Sequence, residues 1–255
     1  MKMYDNIVIT GANSPYYQSL LTLINGVHKD SFDLVDMIVV YDFGLEPIEI
    51  NQLNTLEKVL VINIVKDFPI YENISTIKTK SHFLKMYSLH HSLGLSKNVL
   101  WLDAGVCSLK SLNPIFDLIK TDDIFLVGDV HINKNFTHKK CSEIMSASEK
   151  ELNDQHLSSG IFGFKTNGKY IKLIKDSWKY SQIEGVIDGF DDNHRHDQSV
   201  LSILASRYNC PTQDIDIYGY WTDSIRDLNG ALSIGSVIFV HRRGYENKNN
   251  LIYKK

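Results

Sequence analysis

Short apolar runs alternate along this chain with segments of helical spacing. Residues 7–10 (Ile7, Val8, Ile9, Thr10) make a first run, closed by the turn Gly11-Ala12-Asn13-Ser14-Pro15 and followed by a helical pattern over 16–27. A second run over 36–42 ends in Tyr41 and Asp42, and its turn, Phe43-Gly44-Leu45, leads to a short helical pattern around 50–56. A third run covers 59–65 and passes into an aromatic and proline loop at 68–71. Phe83, Leu84, Tyr87 and Leu89 then set a helix over 79–93 that carries Lys85, with Gly94 placed to end it. The run 98–106, Asn98-Val99-Leu100-Trp101-Leu102-Asp103-Ala104-Gly105-Val106, is uncharged until Asp103, the mark of a strand buried on both faces. A helix over 114–119 and a buried strand over 124–127 follow. Strands alternating with helices predict an α/β fold with a central, mostly parallel sheet flanked by helices and joined by right-handed crossovers.

Past Gly128 the pattern weakens. Residues 128–155 are polar and basic, with His131, Asn133, Lys134, Asn135, His138, Lys139 and Lys140, and predict a mobile loop with one short helix. A strand follows over 158–164, entered through Ser158, Ser159 and Gly160, then helices over 169–181 and 197–208, the second opened by Asp197 and Gln198. The chain closes on a strand over 237–240 that meets His241, Arg242 and Arg243. No solenoid repeat or low-complexity linker divides it, so a single domain over 1–255 is expected, with a ligand-binding half to 127 and a second half from 128.

Composition narrows the function classes. At 255 residues, with 43% hydrophobic and 22% charged residues, the chain can bury a large core. A net charge of -3 gives no global field for nucleic acid or an anionic membrane. The start lacks the apolar stretch of a signal peptide and no run approaches a membrane span, so a cytoplasmic protein without a transmembrane segment is expected. Cys107, Cys141 and Cys210 lack metal-ligand spacing, and reduced, packed thiols are the expectation.

The polar residues at strand ends are Thr10, Tyr41 with Asp42, Asp103 and His241, with Lys85 on the helix that feeds the Asp103 strand. An open α/β sheet binds its ligands at the carboxyl ends of its strands, so these groups share an address suited to an anionic, metal-assisted ligand. Several also have a structural reading: Asp103 as a turn cap, Tyr41 as packing, Lys85 as a solvated helix residue, Asp197 as a helix cap, Ser159 and Gly160 as places where backbones pass closely. The turn from Gly11 to Pro15 has neither dinucleotide nor P-loop spacing, although a nucleotide can contact its backbone at Gly11 and Ala12.

The order of Tyr41-Asp42-Phe43-Gly44-Leu45, the Lys85 helix, Trp101-Leu102-Asp103-Ala104-Gly105, Ser159-Gly160-Ile161-Phe162-Gly163-Phe164, Asp197-Gln198 and a terminal strand with His241 resembles nucleotide-sugar glycosyltransferases of the GT-A fold. The resemblance implies transfer of a sugar from a nucleotide diphosphate donor, UDP-sugar by default, to an acceptor hydroxyl. It implies a Mn2+ or Mg2+ ion held by Asp103 and His241, although Gly105 stands where the second acid of the metal motif belongs. Thr10, Gly11, Ala12, Tyr41, Asp42, Lys85, Ser159, Gly160 and Gln198 are then expected around the nucleotide-sugar, and Asp197, with Asp191 and Asp192 as competitors, supplies the general base or sugar contact. The acceptor stays open between saccharide, protein, lipid-linked sugar and a modified DNA base; the basic residues of 131–140 and Arg242-Arg243 would suit the last. A sugar-phosphate nucleotidyltransferase is the nearest rival, disfavoured because residues 11–15 carry no Lys or Arg; the lost second acid also admits a catalytically inactive nucleotide-sugar-binding module.

Overall fold

The first apolar run folds as β1 (Tyr4–Ala12) and lies inside a six-stranded sheet. β2 (Met37–Asp42) and then β3 (Val59–Asn63) lie to one side of it and β4 (Ser96–Leu102) to the other, all four parallel. Ile7, Val8 and Ile9 are all buried, as are Val39, Val40, Val99 and Leu100, because helices cover both faces of the sheet. This computed structural model describes residues 3–64, 80–188, 193–219 and 228–240; Asp191, Asp192, His241, Arg242, Arg243 and the loop at 68–71 lie outside them.

On one face pack α3 (Lys80–His91), α7 (Ile171–Ser181) and α8 (Asp197–Arg207), around Ile7, Ile9, Trp101, Phe162, Leu173 and Leu201. On the other pack α1 (Tyr17–Ser31), α2 (Pro47–Leu53) and α4 (Asn113–Asp122), around Val8, Leu20, Leu53, Leu100 and Phe116. Both clusters draw residues from before and after residue 127.

The sheet departs from the expected mostly parallel order at one place. β6 (Ile124–Ile132) is not the next neighbour of β4; β7 (Gln155–Lys165) inserts between them, antiparallel to both, giving the mixed order β3-β2-β1-β4-β7-β6. Gly163 explains the fit, because a Cβ there would overlap Ile119 of α4. The expected mobile loop over 128–155 is instead ordered: β6 runs on to Ile132, and α5 (Lys139–Ile144) and α6 (Glu149–Asn153) follow. Glu151 of α6 closes a capping box with Ser148 and accepts from Arg207 Nε at 2.7 Å, which ties this segment to α8. A second sheet of order β5-β9-β8 joins β5 (Val106–Ser108), β8 (Tyr218–Gly219) and β9 (Ile238–Val240), with α9 (Leu228–Ser233) between the last two in sequence. Among the described residues no helix is long and apolar enough to cross a membrane.

Candidate active site

The carboxyl ends of β1 and β4, the middle of β7 and the starts of α3 and α8 line a cleft of about 640 Å³. Asp103 stands at the tip of β4, and its backbone N–H donates to the Gly160 carbonyl at 2.9 Å, so the strand end is stitched to β7. From α3, Lys85 reaches under it: Nζ lies 3.2 Å from Asp103 Oδ1, 3.0 Å from Asp197 Oδ2 and 2.7 Å from the Ser159 carbonyl. Trp101 Nε1 donates to the same Asp103 oxygen at 2.6 Å, and its ring centre lies 5.2 Å from Nζ. Asp197 opens α8 and accepts from Ser159 Oγ at 3.2 Å and from His82 Nδ1 at 2.5 Å. Four elements thus converge on one ionic cluster.

Its electrostatics follow from the pairing. Burial alone would raise the Asp197 carboxyl, but Lys85 and His82 hold it far below the usual carboxylate range. Burial would lower Lys85, and the charges of Asp103 and Asp197 raise it instead. The same contest runs at His82, where desolvation opposes and the Asp197 carboxylate prevails, so the imidazole is raised above its ordinary value. Only Asp103 keeps substantial access to the cleft among the acids of the cluster, its side chain being 47% exposed against 3% for Asp197.

Of the residues expected around a donor, Gly11, Ala12, Lys85, Ser159, Gly160 and Gln198 line the cleft with Asp103 and Asp197. Three do not. Thr10 is fully buried inside β1. Tyr41 is also fully buried, its hydroxyl 3.0 Å from His91 Nδ1, and burial pushes it up. Asp42 is buried and accepts from the N–H groups of Gly44 and Leu45 at 2.8 and 2.7 Å. It therefore caps a turn whose Gly44 needs φ +125°, and the residue of the Tyr41–Leu45 motif that lines the cleft is Phe43. Asp197 lines the cleft, but its side chain is 3% exposed and its oxygens already face His82, Lys85 and Ser159. Asp191, Asp192 and His241 lie outside the described residues. Sequence reasoning missed His82, Asn13, Phe43, Phe136 and Arg195, all on the cleft wall. His82 was findable, one helical turn before Lys85 on the same face of α3.

Of the two donors expected for a metal, Asp103 lines the cleft and His241 lies outside the described residues. Among the described residues no group of three or more His, Cys, Asp or Glu converges, and Asp103 Oδ1 is already taken by Lys85 and Trp101. The described part of the site thus holds one of the two expected donors, and no step below is routed through a metal.

Solved structures share this architecture. The apo structure of WbbM, a bifunctional glycosyltransferase, superposes with TM-score 0.61 at 12% identity, over 98% of this chain and 47% of that one. The galactosyltransferase LgtC, in complex with donor and acceptor sugar analogues, gives 0.57 at 14% identity, covering 92% of this chain and 86% of LgtC. The fold is that of the GT-A glycosyltransferases. Mouse xyloside xylosyltransferase 1 has it too, with TM-score 0.55 at 13% identity and 94% and 97% of the two chains covered. This GT-A chain spans about half the length of WbbM. No protein-family model matches the sequence, and no curated protein does. The GT-A architecture sets the cleft at the open end of the parallel strands, where β7 runs back across the tip of β4.

Proposed function

We propose that this chain is a glycosyltransferase, moving a sugar from a nucleoside diphosphate donor, UDP-sugar by default, to an acceptor hydroxyl. The convergence of Lys85, Asp103, Ser159 and Asp197 at the open end of the sheet carries this reading, and the shared fold supports it. At one end of the cleft, Gly11 and Ala12 expose backbone to the nucleotide and Phe43 offers a ring face to the base. At the centre, Asp103 presents a carboxylate to sugar hydroxyls, while buried Lys85 holds both acids in place. At the other end the Arg195 guanidinium lies 4.7 Å from the centre of the Phe136 ring, a cation–π pair on the acceptor side.

Catalysis then comes from positioning and from charge placed in advance around the breaking bond. Isothermal titration with UDP, GDP, CDP and ADP, each with Mn2+ and with EDTA, tests the reading on wild type and Asp103→Ala. One nucleotide binds selectively to wild type, and the corresponding nucleotide-sugar, whose hydroxyls Asp103 faces, binds at least ~10-fold more weakly to the variant, as expected for one lost charge-assisted contact. No binding of any nucleotide to wild type overturns the reading.

A further inference from the structure

The cleft contains a histidine whose geometry no positioning role uses up. His82 lies on the first turn of α3, with its side chain 40% exposed in the cleft, while its partner Asp197 is 3% exposed. Nδ1–H donates to Asp197 Oδ1 at 2.5 Å, which fixes the tautomer, and Nε2 has no hydrogen-bond partner among the described residues. The ring is held from the side as well, stacked on His196 with centroids 4.5 Å apart. His196 in turn sits at φ +52°, a left-handed conformation that a non-glycine residue adopts only under constraint, and its Nδ1 lies 2.7 Å from the Ile187 carbonyl. A buried carboxylate, an oriented imidazole and an open ring nitrogen facing a ligand cleft form the arrangement by which a histidine takes up a proton.

We propose that His82 Nε2 accepts the proton of the attacking hydroxyl in the transfer reaction, with Asp197 as the positioning residue behind it. The proposal rests on the glycosyltransferase reading. In the step, the acceptor oxygen forms its bond to the anomeric carbon of the donor sugar. The bond from that carbon to the diphosphate oxygen breaks, and its electron pair leaves with the nucleoside diphosphate. The hydroxyl proton passes to Nε2 and later to water. The other acids of the cleft serve less well. Asp103 Oδ1 is spent on Lys85 and Trp101, and Asp129 is 5% exposed with Oδ1 accepting from the Val130 N–H at 2.5 Å.

The charged and titratable groups facing His82 are Asp197 and His196 at the start of α8, Lys85 on its own helix and Asp103 at the tip of β4. Asp197 outweighs the cations and the desolvation, so His82 becomes an unprotonated acceptor only above the ordinary imidazole range. The rate should therefore rise with pH along a limb whose midpoint lies above ~6.5.

Two measurements test this. In the free protein, NMR titration of the histidine ring signals, with His82 assigned through His82→Gln, gives a midpoint above ~6.5 that falls in Asp197→Asn. A midpoint at or below that value, or one indifferent to Asp197→Asn, overturns the dyad without reference to any substrate. Second, UDP release from UDP-glucose, UDP-galactose, UDP-xylose and UDP-N-acetylglucosamine, with water as acceptor, is followed from pH 5 to 9. His82→Gln lowers kcat by ~10²–10⁴-fold, with KM little changed, and abolishes the acid limb. A variant that keeps the wild-type rate and limb removes His82 from the reaction and leaves the transfer reading standing. Absence of UDP release from every donor in wild type strikes the transfer reading, and the proton step falls with it.

Discussion

Gly11 shows how closely single residues set this cleft. The space its side chain would occupy is filled by the Phe43 ring, so any Cβ there overlaps that ring. Gly11→Ala should turn Phe43 away from the nucleotide end and weaken nucleotide binding by ~10-fold in calorimetry, at a stability cost of about 1–3 kcal/mol from overpacking. Full affinity in this variant would show that the base does not rest on Phe43. At this scale the sequence was informative where a residue ends a strand or opens a helix, since Asp103, Ser159 and Asp197 all reached the cleft. It was less so one position either way. Thr10 and Gly11 are adjacent, yet only Gly11 reaches the cleft, because the cleft opens at the last two residues of β1 and an apolar run hides where the strand will end. Asp42 resembled a ligand because a turn cap and a ligand carboxylate use the same chemistry.

Among the elements, the least legible was β7. Its residues were readable as a strand, but local pattern does not say that a later strand will insert antiparallel beside β4 and leave β6 at the edge. The parallel half was legible because α1 joins β1 to β2 and α2 joins β2 to β3, each strand pairing with the next. Of the two helical segments over 139–153 only one short helix was expected, because such segments are too short to show a period, and α6 declares itself only through Ser148 and Glu151 three residues apart. Gly163 gives β7 its place under α4, and Gly163→Ala should cost about 1–3 kcal/mol by forcing Ile119 out of its position. Urea unfolding measures this, and nucleotide affinity stays within about twofold because Gly163 lies outside the cleft wall. A variant of wild-type stability would mean that α4 shifts freely over the sheet.

For the molecule as a whole, buried histidines shape the response to acid. Burial lowers His156 to about 3 and His194 to about 4, and His28 likewise to about 4. Each is therefore neutral in the folded state at pH values where the unfolded chain has already taken up a proton. The stability they permit is present above ~6.5 and is lost as pH falls from there toward 4. For His156 alone the loss reaches roughly 3 kcal/mol by pH 4, at 1.36 kcal/mol for each pH unit. Asp197 runs the other way in cause but not in direction, since its depressed carboxyl contributes stability above ~4 that fades below it. Thermal melts should give a Tm that is level near pH 7 and falls steadily below 6.5, with a shallower fall in His156→Gln. An equal slope in that variant would move the acid sensitivity elsewhere.

The reversal at β7 also reaches back into synthesis. A ribosome delivers β6 before the strand that must lie between it and β4, so Phe125 and Leu126 emerge with no sheet to join. Lys85 and Asp103 are likewise translated long before Asp197 can join their ionic cluster. The nascent chain therefore holds two exposed strand edges until β7 arrives, and Lys85 waits longer still for its second acid on α8, so chaperone protection matters most in that interval.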